Sequence, residues 1–141
     1  MRFALVVLLA LVLAPATMAE RSSAPTLKAG SSSYGKVLFD GRGFVLYAFT
    51  RDHGRSACYG ACAKAWPPYF APKGALSVGA GVKRALLGTV KRTNGRRQVT
   101  YAGRPLYYYV GDKRAGQILC QDVFEYGGRW LIVRPSGKLV R

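Results

Sequence analysis

The chain of 141 residues sets 22 lysines and arginines against 6 acidic residues, a formal net charge of +16 with a sequence pI near 10.4. That length holds one ordinary domain, with no partner domain expected, while the cation excess steers the protein toward polyanions. Seventeen glycines and seven prolines scattered through the sequence exclude a mainly helical fold.

Arg2, the apolar run Phe3 to Leu13 and the small residues through Ala19 follow the order of a secretory signal peptide, with cleavage expected after Ala19. The run is too short for a bilayer, which takes roughly 20 apolar residues. No cysteine stands at the cleavage site, so no lipid anchor is expected. A product of about 122 residues and about +15 charge is expected to be soluble in the periplasm or outside the cell. Residues 20–33, with Ser22, Ser23, Pro25, Gly30 and Ser31 to Ser33, have the composition of a flexible linker. The folded domain is expected over 34–141.

Within it, Val37-Leu38-Phe39, the turn Asp40-Gly41-Arg42-Gly43 and Phe44 to Thr50 read as strand, turn, strand. Tyr59 to Ala65 is the one candidate for a short helical turn, stopped by Pro67-Pro68. Leu86 to Arg92 and Arg97 to Tyr101 flank Thr93-Asn94-Gly95-Arg96, and Asn-Gly between such runs is the strongest hairpin signal in the chain. Gln98 to Tyr101, Ala102-Gly103-Arg104 and Pro105 to Val110 repeat the first plan, and a last strand, Trp130 to Arg134, ends at Pro135-Ser136-Gly137. The fold class is therefore mostly β: a small antiparallel domain of two related hairpin repeats, about 35–70 and 97–135.

The repeat is clearest where Leu46-Tyr47-Ala48-Phe49-Thr50-Arg51-Asp52 is echoed by Leu106-Tyr107-Tyr108-Tyr109-Val110-Gly111-Asp112. Strand alternation puts Tyr47 and Phe49 on one face and Tyr107 and Tyr109 on its equivalent. Those rings are expected to form the core, with hydroxyls reaching polar partners at its rim. Asp52 and Asp112, just ahead of Gly54 and Gly116, are expected to bond turn N–H groups or accept a tyrosine hydroxyl. The rival reading is a ring of Tyr and Asp offered to a sugar or a cation.

Three cysteines in an exported chain imply at least one disulfide. The four-residue spacing favours Cys58 with Cys62, and bridges from either to Cys120 remain open. The alternative is a copper, zinc or thiol-redox site built from His53, Cys58, Cys62 and Cys120. The spacing is not C-x-x-C. Neither G-x-S-x-G nor H-E-x-x-H nor a phosphate-cradling glycine loop occurs, and a single histidine would have to serve any triad, so a non-enzymatic protein without a cofactor is expected. Trp66-Pro67-Pro68-Tyr69-Phe70 and Trp130 are expected in the core rather than on a sugar-stacking platform.

The paired Leu-Tyr-x-(Phe/Tyr)-x-x-Asp, the segment Cys58 to Pro68 and the segment Gln98 to Tyr107 together resemble the bacterial "secreted repeat of unknown function" family, in that family's order from about Tyr34 to the C-terminus. The resemblance implies an envelope location and a repeat fold, without an activity. Its members resemble predicted lipoproteins, and this chain departs from them in lacking the lipoprotein cysteine. The functional expectation is an exported basic module that binds or organises an anionic polymer or lipid headgroup; nucleic acid is not expected as a partner. Lys83, Arg84, Lys91, Arg92, Arg96, Arg97 and Arg104 are the candidate contacts.

Overall fold

In the computed structural model, which describes residues 24–141, every ladder between strands is antiparallel. The expected signal peptide, residues 1–19, lies outside the described residues. The elements run β1 (Leu27–Ser32), β2 (Gly35–Asp40), β3 (Tyr47–Phe49), α1 (Ala61–Ala65), β4 (Leu87–Lys91), β5 (Arg97–Tyr101), β6 (Arg104–Pro105), β7 (Val123–Glu125) and β8 (Gly128–Ile132). They form three small sheets, β1-β2, β3-β8-β7 and β4-β5-β6.

Leu27–Ser32, read from composition as linker, is a full strand paired with β2 from Leu27↔Asp40 to Ser32↔Gly35. The small residues are there for space: a Cβ on Gly30 would stand 2.8 Å from the Phe39 ring, and Leu27 is fully buried. A linker composition and a strand that must pass close under an aromatic ring look alike in sequence.

The first expected hairpin is also modified. Its turn is there, closed by Asp40 N–H to Phe44 O and an isolated Phe39↔Val45 bridge, with the Asp40 carboxylate accepting the N–H groups of Arg42 and Phe44. Its second strand is regular only over β3, which takes β8 as partner. The β4–β5 hairpin follows the Asn-Gly signal: Arg92 N–H bonds Arg96 O across a turn with Gly95 at φ +81°. The β5–β6 turn places Ala102 and Gly103 at φ +50° and +74°, the primed geometry that matches strand twist. Tyr126 and Gly127, at +54° and +79°, do the same between β7 and β8.

Val45 to Phe49 is buried at every residue, because this segment runs between two cores. Its odd members join Val37, Phe39, Trp66, Tyr107, Trp130 and Ile132; its even members join Leu27, Leu38, Val99, Tyr101, Leu106 and Val133. In the first core the two repeats meet. Tyr47 and Tyr107 exchange backbone N–H···O bonds of 2.9 Å each. Trp66 and Trp130 stack at 4.1 Å and 5°. Tyr47 meets Trp66 edge-on at 5.2 Å, as Tyr107 meets Trp130 at 5.1 Å. Phe49 stacks on Trp130 and Tyr109 tilts onto Trp66. Each half thus supplies the same parts in the same relation, an approximate two-fold axis running between the two tyrosine backbones.

Candidate functional site

The polar half of the repeat motif is exchanged across that axis. Tyr47 donates its hydroxyl to Asp112 Oδ2 at 2.8 Å, and Tyr107 donates to Asp52 Oδ2 at 2.8 Å. The other carboxylate oxygens accept backbone N–H groups seven and five residues on, Leu119 to Asp112 and Ala57 to Asp52. The four residues are bonded to one another and to the backbone in this arrangement.

Burial pushes the Asp52 carboxyl up from an ordinary 3.8 to about 6, against the opposing pull of its Ala57 and Tyr107 bonds and of the Arg92 and His53 charges. Asp112 is raised for the same first reason. Between pH 4 and 6 the folded state therefore holds more protons than the unfolded chain, and stability falls as pH rises through that window. Thermal unfolding should show a higher midpoint at pH 4.5 than at pH 7. In Asp52→Asn, which removes the titrating carboxyl while its amide oxygen still accepts the Ala57 N–H, most of that slope should vanish; an unchanged slope would contradict the assignment.

The two halves differ in what lies beyond the Tyr–Asp pair. Ser56 donates to the Tyr107 hydroxyl oxygen and in turn accepts from Arg92 Nη1, so a directed chain runs from Arg92 through Ser56 and Tyr107 to Asp52. The residue preceding Leu119 in the other half is Ile118, packed against the core. Arg92, expected as a surface contact for an anion, is only 5 % exposed. Its Nη1 also bonds Gln98 Oε1 at 2.8 Å, its Nη2 bonds Cys58 O at 2.6 Å, and the Tyr59 ring lies 4.2 Å from its guanidinium carbon. Gln98 is held in turn by Leu106 O. Burying a cation calls for several acceptors, and these neutral ones remove Arg92 from the free surface.

The remaining expected contacts are exposed and divide between two ends of the β4–β5 ladder. Lys91 and Arg97 are cross-strand partners next to the turn, and Arg96 rests on the Phe70 ring at 3.3 Å. Lys83, Arg84 and Arg104 stand at the other end, where Leu87 pairs Tyr101 and Tyr101 pairs Arg104, about 13 Å away along a five-residue strand. Arg55, not singled out by sequence, joins the turn end. It lines an open cleft of about 440 Å³ with Ser56 and Tyr59 on one wall and Val90, Lys91, Arg92 and Thr93 on the other.

The acidic side chains face elsewhere. Among the described residues Asp40 takes Arg42 and the Tyr108 hydroxyl, Asp122 takes Arg129, Glu125 accepts the Trp66 indole N–H, and Asp52 and Asp112 take the tyrosines. Two ion pairs result, Arg42–Asp40 and Arg129–Asp122. Among the described residues, no carboxylate is in ion-pair contact with the cations of the hairpin end.

Cys58 and Cys62 form the disulfide, which closes over Tyr59 at the start of α1, and Cys120 is free and half-buried. Two of the four alternative metal ligands are thereby oxidised, His53 is exposed, and no cluster of three or more metal-binding side chains occurs among the described residues. Removing the bridge by Cys58→Ala/Cys62→Ala should cost about 2 kcal/mol on loop-entropy grounds. It should also free Tyr59 from its place over Arg92, read as a loss of the Tyr59 ring-current shift on the Arg92 side chain. Trp66 and Trp130 are fully buried, so neither forms an exposed platform.

No curated protein and no solved structure matches the chain. The model of the family described as "secreted repeat of unknown function" matches it twice, over residues 28–69 and 88–134. The first match contains Tyr47, Phe49, Asp52 and Trp66, the second Tyr107, Tyr109, Asp112 and Trp130. Together covering more than half of the chain, one on each side of the two-fold core, these matches show that the protein belongs to the secreted repeat of unknown function family.

Proposed function

We propose that this protein is an exported binding module for anionic polymers of the cell envelope, with the turn end of the β4–β5 hairpin as its contact surface. The observation that carries this reading is the like-charge pairing at that end. Lys91 stands opposite Arg97 with Arg96 beside them, although like charges directly across a ladder are destabilising. A polyanion laid along the hairpin offsets that repulsion, as no carboxylate among the described residues does. The family's description as secreted agrees with export, and no helix among the described residues is long and apolar enough to cross a membrane.

Binding of this kind weakens steeply with salt. Heparin, as a generic soluble polyanion, should retain the protein at low salt. Lys91→Gln/Arg96→Gln/Arg97→Gln should lower its affinity at least tenfold and flatten the salt dependence, with Arg92 left in place because it is buried. The equal-charge control Lys83→Gln/Arg84→Gln/Arg104→Gln, at the far end, should lose much less. Equal losses in both triples would mean that net charge alone acts, and salt-insensitive binding would remove the reading altogether.

A further inference from the structure

Resting on that polyanion reading, we propose that the cleft beside the hairpin is a specific site for a phosphate ester carried on a sugar or polyol, the point at which a phosphorylated glycan is gripped rather than merely attracted. The cleft gathers three cations, Arg55, Lys91 and Arg92, with three hydroxyl side chains, Ser56, Tyr59 and Thr93, and no carboxylate. Its volume of about 440 Å³ falls in the range of organic ligand sites, roughly 300–1,000 Å³, and exceeds what a bare ion needs.

Arg92 is what makes this a built site. Its guanidinium is desolvated and held by Ser56, Gln98 and the Cys58 carbonyl, so its direction is fixed before a ligand arrives. Three of the five N–H donors of a guanidinium are engaged there, all on neutral acceptors. The nearest carboxylate in the hydrogen-bond chain, Asp52, is reached only through two hydroxyls. Arg92 holds its wall of the cleft positive with no carboxylate bonded to it, and Arg55 and Lys91, both exposed and on opposite walls, supply the reachable donors that close on a tetrahedral oxyanion.

The walls say what the phosphate is attached to. Tyr59, 38 % exposed, covers Arg92 with its ring, and Val90 lines the facing wall. That gives the carbon face of a sugar or polyol an apolar neighbour beside the cations. The second repeat keeps the Tyr47–Asp112 bond and the Leu119 N–H bond but has Ile118 preceding Leu119. The serine and guanidinium extension is therefore present in one half only, the half that carries the cleft.

The test is an NMR titration of the full folded protein with glucose 1-phosphate, inorganic phosphate and glucose. Saturable shifts confined to residues 55–59 and 90–93 are expected with glucose 1-phosphate, weaker ones with phosphate, and none with glucose. Arg55→Gln and Thr93→Val lie at exposed positions and keep the core intact, and Arg55→Gln should raise the dissociation constant of glucose 1-phosphate at least tenfold. Equal affinity for inorganic phosphate overturns the ester assignment, and the absence of saturable binding overturns the site. If heparin retention by the hairpin survives that second result, only this inference falls; if both are lost, the polyanion reading falls with it.

Discussion

Trp130→Ala is expected to destabilise the protein by about 3–5 kcal/mol, lowering the unfolding midpoint by roughly 10–20 °C for a domain of this size. The indole is fully buried and touches three rings, stacking on Phe49 at 4.1 Å and on Trp66 at 4.1 Å and meeting the edge of Tyr107 at 5.1 Å. Its loss removes transfer energy and leaves a cavity whose walls belong to both repeats, so neither half can collapse into the space without breaking the two-fold contact. Since total stability is on the order of 5–15 kcal/mol, the variant should stand near the limit of folding. Phe124→Ala removes an aromatic ring that is 66 % exposed, and should change stability by no more than about 0.5 kcal/mol. A loss below 1 kcal/mol at Trp130, measured by chemical denaturation, would contradict the picture of a shared core.

The second large effect is expected at Asp112. Asp112→Ala leaves the buried Tyr47 hydroxyl without its acceptor and frees the N–H of the exposed Leu119; the orphaned buried hydroxyl alone costs about 1–3 kcal/mol, so a loss of at least that size should follow. Tyr47→Phe alone should cost less, because the carboxylate keeps its backbone donor. In the double variant Tyr47→Phe/Asp112→Ala the two losses should not add, with a coupling of at least about 1 kcal/mol. Additive losses would mean that the bond across the two-fold axis contributes nothing of its own.

Much of the scaffold was legible because the hairpin chemistry is local. Gly95 in the one turn and Ala102-Gly103 in the other set positive φ where a turn demands it, and the Tyr-x-aromatic-x-x-Asp echo announced two equivalent halves. The Cys58–Cys62 pairing is the one that spacing favoured over bridges to Cys120, although only Cys62 lies in α1 and Cys58 precedes it. The failures share a physical cause, which is dependence on contacts distant in sequence. β1 looked like linker because its small residues answer to the Phe39 ring. β7 was missed because Tyr126-Gly127 replaces the usual Asn-Gly in its turn. Arg92 read as one more surface cation because nothing local reveals that Ser56 and Cys58, more than thirty residues away, supply its acceptors. The same distance hid the cleft: Arg55, Ser56 and Tyr59 have no motif of their own and gain meaning only when α1 and its disulfide bring them beside β4.

The division of charge organises the whole molecule. Carboxylates hold tyrosines, an indole and turn backbones together, while the cations of one hairpin end stand outside without them. The most direct measurement of what that division is for is an NMR titration of the folded protein with a short soluble polyphosphate at physiological salt. The account predicts shift changes concentrated on residues 55–59 and 89–98, fading as salt rises. Changes spread evenly over the basic surface, or centred on the far end around Lys83, Arg84 and Arg104, would contradict it.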